Sequence, residues 1–323
     1  MKQKMKIMGM ALMMGASATM MMAQPREKTP DKIDYYNYLA YRCHEKGDKA
    51  GAAKNFLLYL EEPQKRGMTQ AQQDSLYMAD RVVYDQAAVN AMFPFYSVGD
   101  MDGVLKTLPY GRRTSKPITN VYLTSMEAAK EKGMNDLYLE LLREAITKFP
   151  DNSSFVDKMM EYYTAQGDSQ KAQAGLDELI AQNPKNAELW YAKGVLYFND
   201  KDNPNANTEA RTCFSKAIAL DEEHAEACAA MGNTYIRDVV ELRRKGMFAS
   251  VFSGMNETRK KSSYQKDLAE VQTYYFNAQT YLRMAKALKP DAYDLWGEQL
   301  LECYKILGRQ QEYEALKKEM QEE

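Results

Sequence analysis

Hydrophobic residues recur every three or four positions along most of the chain, the spacing that places them on one face of an α-helix. Between these stretches, Gly99, Gly133 and Gly167 follow one another at intervals of 34 residues. Pro150 and Pro184 have the same spacing. A helix, a glycine turn, a second helix and a proline-marked turn make a 34-residue hairpin. The pattern therefore predicts an all-α fold of stacked hairpins.

Several stretches share one order of residue types: a bulky residue, small residues, an aromatic residue, a turn, and the small and bulky residues of a second helix. The clearest copy begins at Ala187 and carries a four-residue insertion within 200–207. Its matching residues are Trp190, Gly194, Tyr197, Ala210, Phe214 and Ala217. Other copies match at Tyr36, Ala40, Gly47, Ala52 and Phe56, at Tyr122, Met126, Ala129, Tyr138 and Ala145, and at Val156, Met160, Tyr163, Ala172 and Leu179.

This pattern resembles the tetratricopeptide repeat (TPR) family, in particular exported TPR proteins of the Bacteroidota type. The resemblance implies an α-solenoid of about 6–7 stacked helix-turn-helix hairpins over residues 33–319. Two regions depart from the 34-residue spacing. Region 61–118 is irregular: residues 61–80 add about half a repeat, and Pro94 is expected to interrupt the helix that leads to Gly99. Region 236–273 is a long insertion, expected to form two extended helices joined by a loop at 246–262.

Residues 1–23 are typical of a bacterial secretory signal peptide, with a lysine-rich start and an apolar run over 7–22. Cleavage is expected after Ala18 or Ala23, and residues 24–32 then form a short linker. A buried N-terminal helix is the alternative. We expect the mature protein to be exported, and to be periplasmic if the cell has two membranes. No cysteine lies near either cleavage site, so no lipid anchor is expected.

The charge balance argues against a nucleic-acid partner. The 323 residues include 43 basic and 45 acidic side chains, for a formal net charge of −2. The signal peptide carries three lysines and no acidic residue, so its removal would change the net charge to −5. Proteins that bind nucleic acids usually carry a basic excess that neutralises phosphates.

The sequence offers no arrangement of residues suited to catalysis or to holding a metal ion or cofactor, so no enzyme is predicted. His44 lacks a second histidine at metal-ligand spacing, and the His-Ala-Glu motif at His224 lacks the Pro-Cys-x-x-Cys of zinc deaminases. Four cysteines in a chain of this length are too few for a disulfide framework. Cys213 and Cys228 could pair, but small buried hydrophobic residues are the favoured interpretation.

The family resemblance also implies where a partner binds. In TPR proteins the first helix of each hairpin lines the concave face, where positions next to the core residues are exposed. In this chain those positions are Asn37, Tyr41, Leu123, Glu127, Asp157, Glu161, Tyr191, Val195, Ala229 and Asn233. The middle of the set is acidic and its flanks are aromatic or apolar. We therefore predict a protein or peptide partner with basic and aromatic character; a solvated face without a partner is the alternative.

The long insertion is a second candidate surface. Phe248 and Phe252 lie in a short apolar segment that basic residues flank at 243–245 and 259–261. Exposed phenylalanines in this setting suit a partner's groove or an anionic membrane surface. Folding of the segment back onto the adjacent helices is favoured over both, because exposed apolar patches are costly.

Together these features predict an exported scaffold that mediates protein–protein interaction in the cell envelope and has no catalysis of its own. The alternative is an accessory subunit that assembles, or delivers substrate to, an envelope enzyme or an outer-membrane complex. A position of the gene beside a secretion, polysaccharide-uptake or protease operon would distinguish the two functions.

Overall fold

The computed structural model describes residues 32–167, 169–252 and 262–321, and every regular element within them is an α-helix. The predicted signal peptide and its cleavage sites lie outside the described residues. The helices are α1 (Lys32–Glu45), α2 (Lys49–Lys65), α3 (Gln70–Ala79), α4 (Arg81–Ser97), α5 (Met101–Gly111), α6 (Thr119–Glu131), α7 (Asn135–Lys148), α8 (Ser154–Gln166), α9 (Ser169–Gln182), α10 (Ala187–Asn199), α11 (Ala206–Leu220), α12 (Ala225–Arg244), α13 (Ala249–Phe252), α14 (Ser262–Leu288), α15 (Tyr293–Ile306) and α16 (Gln310–Glu319). The prediction of an all-α fold is confirmed.

The chain divides into two compact units, the first ending at Thr124 and the second beginning at Ser125. In the first unit, α1 packs on α2, α2 on α4, and α4 on α5. Small and aromatic side chains form its core, among them Ala40, Ala52, Phe56, Tyr59, Tyr84 and Ala88. The helix α3 buries none of its residues. Region 61–118 therefore contains an extra surface helix between two helices that pack on each other.

The helix α4 continues through Pro94 to Ser97, so the expectation that this proline interrupts it is wrong. Pro94 lies in the last turn of α4, where the absent N–H removes a hydrogen bond only near the helix end. Pro63 and Pro109 lie in the last turns of α2 and α5 in the same way. In this unit a proline precedes the end of a helix by two or three residues and does not break it.

In the second unit, most helices pack on their neighbours in the chain, as in the pairs α8–α9, α10–α11 and α15–α16, whereas α12 packs mainly on α14. Gly133 and Gly167 follow α6 and α8 with φ values of 67° and 66°. Glycine adopts this left-handed conformation without the steric cost that a side chain imposes. The glycine turns predicted from the 34-residue spacing are confirmed at both positions.

The helices α10 and α11 approach closely at Gly194. A Cβ atom added at Gly194 would lie 2.4 Å from Cε1 of Phe214. The Phe214 ring is completely buried, as are Ala210 and Ala217 on either side of it. The ring thus occupies the space that a side chain at position 194 would need.

The helices α12 and α14 are extended, with 20 and 27 residues, and they pack against each other. Together with α15 they enclose Trp296, which is fully buried. Its indole Nε1 donates a hydrogen bond to the carbonyl oxygen of Lys289 over 2.8 Å. Trp296 therefore joins the end of α14 to α15.

Candidate functional site

The helices α8, α10 and α12 each carry an acidic residue in the first turn: Asp157, Glu188 and Glu226. A carboxylate at this position interacts favourably with the helix dipole. Because α10 packs against both α8 and α12, these carboxylates and Glu161, one turn further along α8, are close enough to act on one another electrostatically. We call these four residues the acidic face.

The carboxylates of the acidic face repel one another. Burial and then the neighbouring carboxylates raise the pKa of Asp157. Burial also raises the pKa of Glu188; the His224 imidazole opposes this change and the neighbouring carboxylates add to it. Burial acts on Glu226 in the same direction and is the largest single cause. The hydrogen bond and charge of the Lys289 ammonium, a backbone hydrogen bond and the His224 imidazole together outweigh it, so the pKa of Glu226 is lowered. The excess negative charge is therefore centred on Asp157 and Glu188.

Tyr191 and His224 border the acidic face, with ring centroids 4.8 Å apart. Burial and the adjacent carboxylates raise the pKa of Tyr191 to about 12, so its hydroxyl stays protonated near neutral pH. His224 precedes α12, and its Nδ1 accepts a hydrogen bond from the Ala227 N–H over 3.4 Å. Its Nε2 lies 3.7 Å from Oε1 of Glu188. Half-buried aromatic surface thus adjoins the negative charge.

A pair of tyrosines lies near Glu161. The rings of Tyr138 and Tyr162 have centroids 5.6 Å apart. Burial, then the charges of Glu161 and Glu127, raise the pKa of Tyr138. Both glutamates are exposed. Four of the predicted partner-binding residues (Glu127, Asp157, Glu161 and Tyr191) therefore belong to one acidic and aromatic region of the second unit, and their role in binding stays a prediction.

The other predicted positions of the second unit are less accessible. Val195 and Asn233 are half-buried on α10 and α12. The Asn233 Oδ1 has no hydrogen-bond partner among the described residues. Ala229 is only 1% exposed, so the expectation that it contacts a partner is wrong; its side of α12 faces the core.

In the first unit, Asn37, Tyr41 and Leu123 are half-buried. The Tyr41 ring packs edge-on against Phe56, with centroids 5.2 Å apart. Much of the Tyr41 surface is therefore already used in packing. A binding role for these three residues stays a prediction.

Glu188, Glu226 and His224 are not among the positions predicted from the sequence. Glu188 and Glu226 are separated by one 34-residue repeat plus the four-residue insertion, so they hold equivalent positions. His224 is equivalent by the same count to Asn186, the cap of α10. Comparing equivalent repeat positions would have drawn attention to all three residues.

The expectation that Phe248 is exposed to a partner is wrong. Phe248 is 4% exposed and belongs to the core between α12, α14 and α15. Phe252 is half-buried against that core, and the Arg243 guanidinium lies over its ring, 4.7 Å from the centroid. Both phenylalanines thus lie against the adjacent helices, and a partner-binding role for Phe252 stays a prediction. Residues 253–261 lie outside the described residues, and membrane contact through the 246–262 loop is untested there.

The described ranges contain no group of three or more His, Cys, Asp or Glu side chains that could hold a metal ion. None of the helices described is both long enough and apolar enough to cross a membrane.

In the first unit, a cavity of about 30 Å³ is lined by residues that include Tyr77, Tyr84, Tyr110 and Arg113. This volume accommodates about one water molecule.

All four cysteines are free thiols, so Cys213 and Cys228 are not paired. Cys213, Cys228 and Cys303 are buried. Burial is the main cause that raises the pKa of Cys228 to about 11 and that of Cys303 to about 12. These thiols stay protonated near neutral pH and are weakly reactive. They serve as small core residues, as the sequence favoured.

The Glu188→Gln substitution is expected to stabilise the second unit near neutral pH. The raised pKa of Glu188 means that the folded protein retains a proton that the unfolded chain releases. Wild-type stability therefore falls as the pH rises from the ordinary glutamate value through the raised folded value. We expect a gain of about 0.5 kcal/mol at about pH 7.5, after allowance for solvent screening, that shrinks towards about pH 4.

Urea denaturation across this pH range measures the effect of Glu188→Gln. The control is Glu298→Gln, which makes the same change of charge at an exposed position of α15. An equal gain in both variants would contradict a specific repulsion at the acidic face.

No protein-family model and no curated protein matches the chain. The solved structures similar to it include the C-terminal part of a TPR repeat-containing protein from Cytophaga hutchinsonii, with 14% identity, a TM-score of 0.36, and coverage of 82% of this chain and 98% of that one. A tetratricopeptide repeat protein from Parabacteroides merdae has 12% identity, a TM-score of 0.33, and coverages of 85% and 98%. The TPR2AB domain of yeast Sti1, in a complex with pHSP90, has 15% identity, a TM-score of 0.30, and coverages of 86% and 85%. Structures similar to this chain thus include TPR proteins, the family that its residue pattern resembles.

Proposed function

We propose that this protein is an exported scaffold of the cell envelope that binds a segment of another protein on the acidic face and acts by binding, not by catalysis. The acidic face carries this proposal, because α8, α10 and α12 bring carboxylates together beside Tyr191. Asp157 and Glu161 are exposed there and available to a partner. The proposal of export rests on the residue pattern of 1–23.

The chemistry of the acidic face supports a partner segment with basic and aromatic residues. Complementary charge accelerates association and disfavours acidic competitors. The rings of Tyr138, Tyr162 and Tyr191 add rigid surface on which apolar and aromatic side chains can pack.

Charge reversal of the exposed carboxylates tests the proposal. We expect the double variant Asp157→Lys and Glu161→Lys to lose its partner in crosslinking of intact cells read by mass spectrometry, because two repulsive charges replace two attractive ones. Both side chains are exposed, so the fold should persist; circular dichroism verifies this.

The control is Glu298→Lys, a reversal at an exposed site on α15. It is expected to crosslink the same proteins as the wild type. Recovery of an identical set of proteins by the double variant would refute binding at the acidic face.

A further inference from the structure

His224 occupies a helix-capping position that the preceding repeat fills with asparagine. Asn186 caps α10 by accepting from the Leu189 N–H over 3.4 Å. Asparagine is among the preferred capping residues, and histidine is not. Capping alone therefore does not account for an imidazole at this position.

The His224 imidazole lies between two carboxylates and is incompletely hydrogen-bonded. Since Nδ1 accepts from the Ala227 N–H, a neutral imidazole carries its proton on Nε2. The side chain is 3% exposed, and Nε2 has no hydrogen-bond partner within the described part of the chain. It points towards Glu188, with Oε1 3.7 Å away, while Nδ1 is 3.4 Å from Oε2 of Glu226. A buried donor is thus aimed into the acidic face without completing a hydrogen bond.

Negative charge exceeds positive charge around this imidazole. The surrounding charged and titratable groups are Asp157 and Glu161 of α8, Glu188 and Tyr191 of α10, Asp221 in the turn before α12, Glu226 of α12 and Lys289 after α14. Lys289 forms an ion pair with Glu226. A further cation placed near Asp157 and Glu188 would relieve the repulsion between them.

We propose that Asp157, Glu188 and Tyr191 form a binding site for one lysine or arginine side chain of the partner segment, beside which the buried His224 imidazole lies. This inference rests on the proposed function. The two carboxylates accept hydrogen bonds from the ammonium or guanidinium group. The half-buried Tyr191 ring packs against its methylene groups and attracts its charge.

A pair of probe peptides tests the site on the full-length protein. The first is a blocked Gly-Phe-Lys-Phe-Gly peptide, and the second carries acetyl-lysine in place of lysine. The chain has only two histidines, so ¹⁵N imidazole spectra report on His224 at the site and on the exposed His44 of α1 as a reference. We expect the lysine peptide to shift the His224 signals saturably and to leave those of His44 unchanged. Loss of the charge should weaken binding by about fivefold or more.

Two variants test the contributions of Glu188 and His224 to the site. Fluorescence anisotropy of the labelled lysine peptide measures the affinity of each variant. Glu188→Gln should weaken binding about fivefold, whereas Glu298→Gln should not. His224→Asn installs the cap that α10 uses, so it should fold and bind the lysine peptide.

Two results would overturn the inference: equal affinity for the two peptides, or equal losses in Glu188→Gln and Glu298→Gln. Failure of this site and failure of the scaffold are distinguishable. If the double lysine variant loses its partner in cells while both peptides bind equally, the scaffold proposal stands and the cation site is refuted.

Discussion

Replacing Phe214 with alanine is expected to lower the free energy of unfolding of the second unit by about 3–5 kcal/mol. The ring is completely buried between α10 and α11, directly over the position where Gly194 has no side chain. Its removal leaves a cavity that neighbouring helices can close only partly. Urea denaturation monitored by circular dichroism measures the loss.

Gly194→Ala and Phe214→Ala, made singly and together, form a double-mutant cycle that tests the contact between the two positions. In the wild type the added methyl group would lie 2.4 Å from the Phe214 ring, and we expect a cost of about 1–3 kcal/mol for moving the ring. In the Phe214→Ala background the methyl group enters the cavity, so most of this cost should disappear. Strictly additive losses would contradict a direct steric conflict between the two positions.

The second large effect is expected for Trp296→Ala, with a loss of about 3–5 kcal/mol in the free energy of unfolding. Trp296 is fully buried where α12, α14 and α15 meet, and its Nε1 donates to the Lys289 carbonyl. Truncation removes this packing and one of the two hydrogen bonds to the Lys289 carbonyl oxygen, while the bond from the Ala292 N–H remains. Thermal denaturation and hydrogen exchange of α14 and α15 measure the effect.

Trp190 provides the matched comparison, because the chain has only two tryptophans. Trp190 is half-buried and lies beneath the Lys216 ammonium, 3.9 Å from the ring centroid. Trp190→Phe should cost less than about 1 kcal/mol. In that variant the tryptophan fluorescence reports Trp296 alone. An equal loss in Trp190→Phe and Trp296→Ala would show that burial does not set the energetic difference.

The helical hairpins could be predicted because their signals are local. Gly133 and Gly167 each mark a turn within one repeat, and the apolar spacing on either side defines the helices without reference to distant residues. Pro94 could not be placed correctly from the residue type alone. Its effect depends on its distance from the end of α4, which is itself set by packing and by the turn at Gly99.

The acidic face could be predicted in part. Asp157 and Glu161 follow from the repeat position within a single helix. Glu188 and Glu226 join them only because α8, α10 and α12 pack side by side, and a linear pattern does not contain those distances. The burial of Phe248 depends on tertiary packing in the same way, since an apolar residue next to basic ones in the sequence is compatible with either exposure or burial.

The buried thiols make the timing of folding important under the export that we propose. While the chain is unfolded, Cys213 and Cys228 are only fifteen residues apart and open to oxidising enzymes. Once folded, the two sulfur atoms are enclosed in the core as free thiols. A disulfide formed early would tie together two helices whose native packing keeps both thiols reduced. The mainly local helix packing favours fast folding of the hairpins. Fast folding would therefore prevent this non-native disulfide from forming.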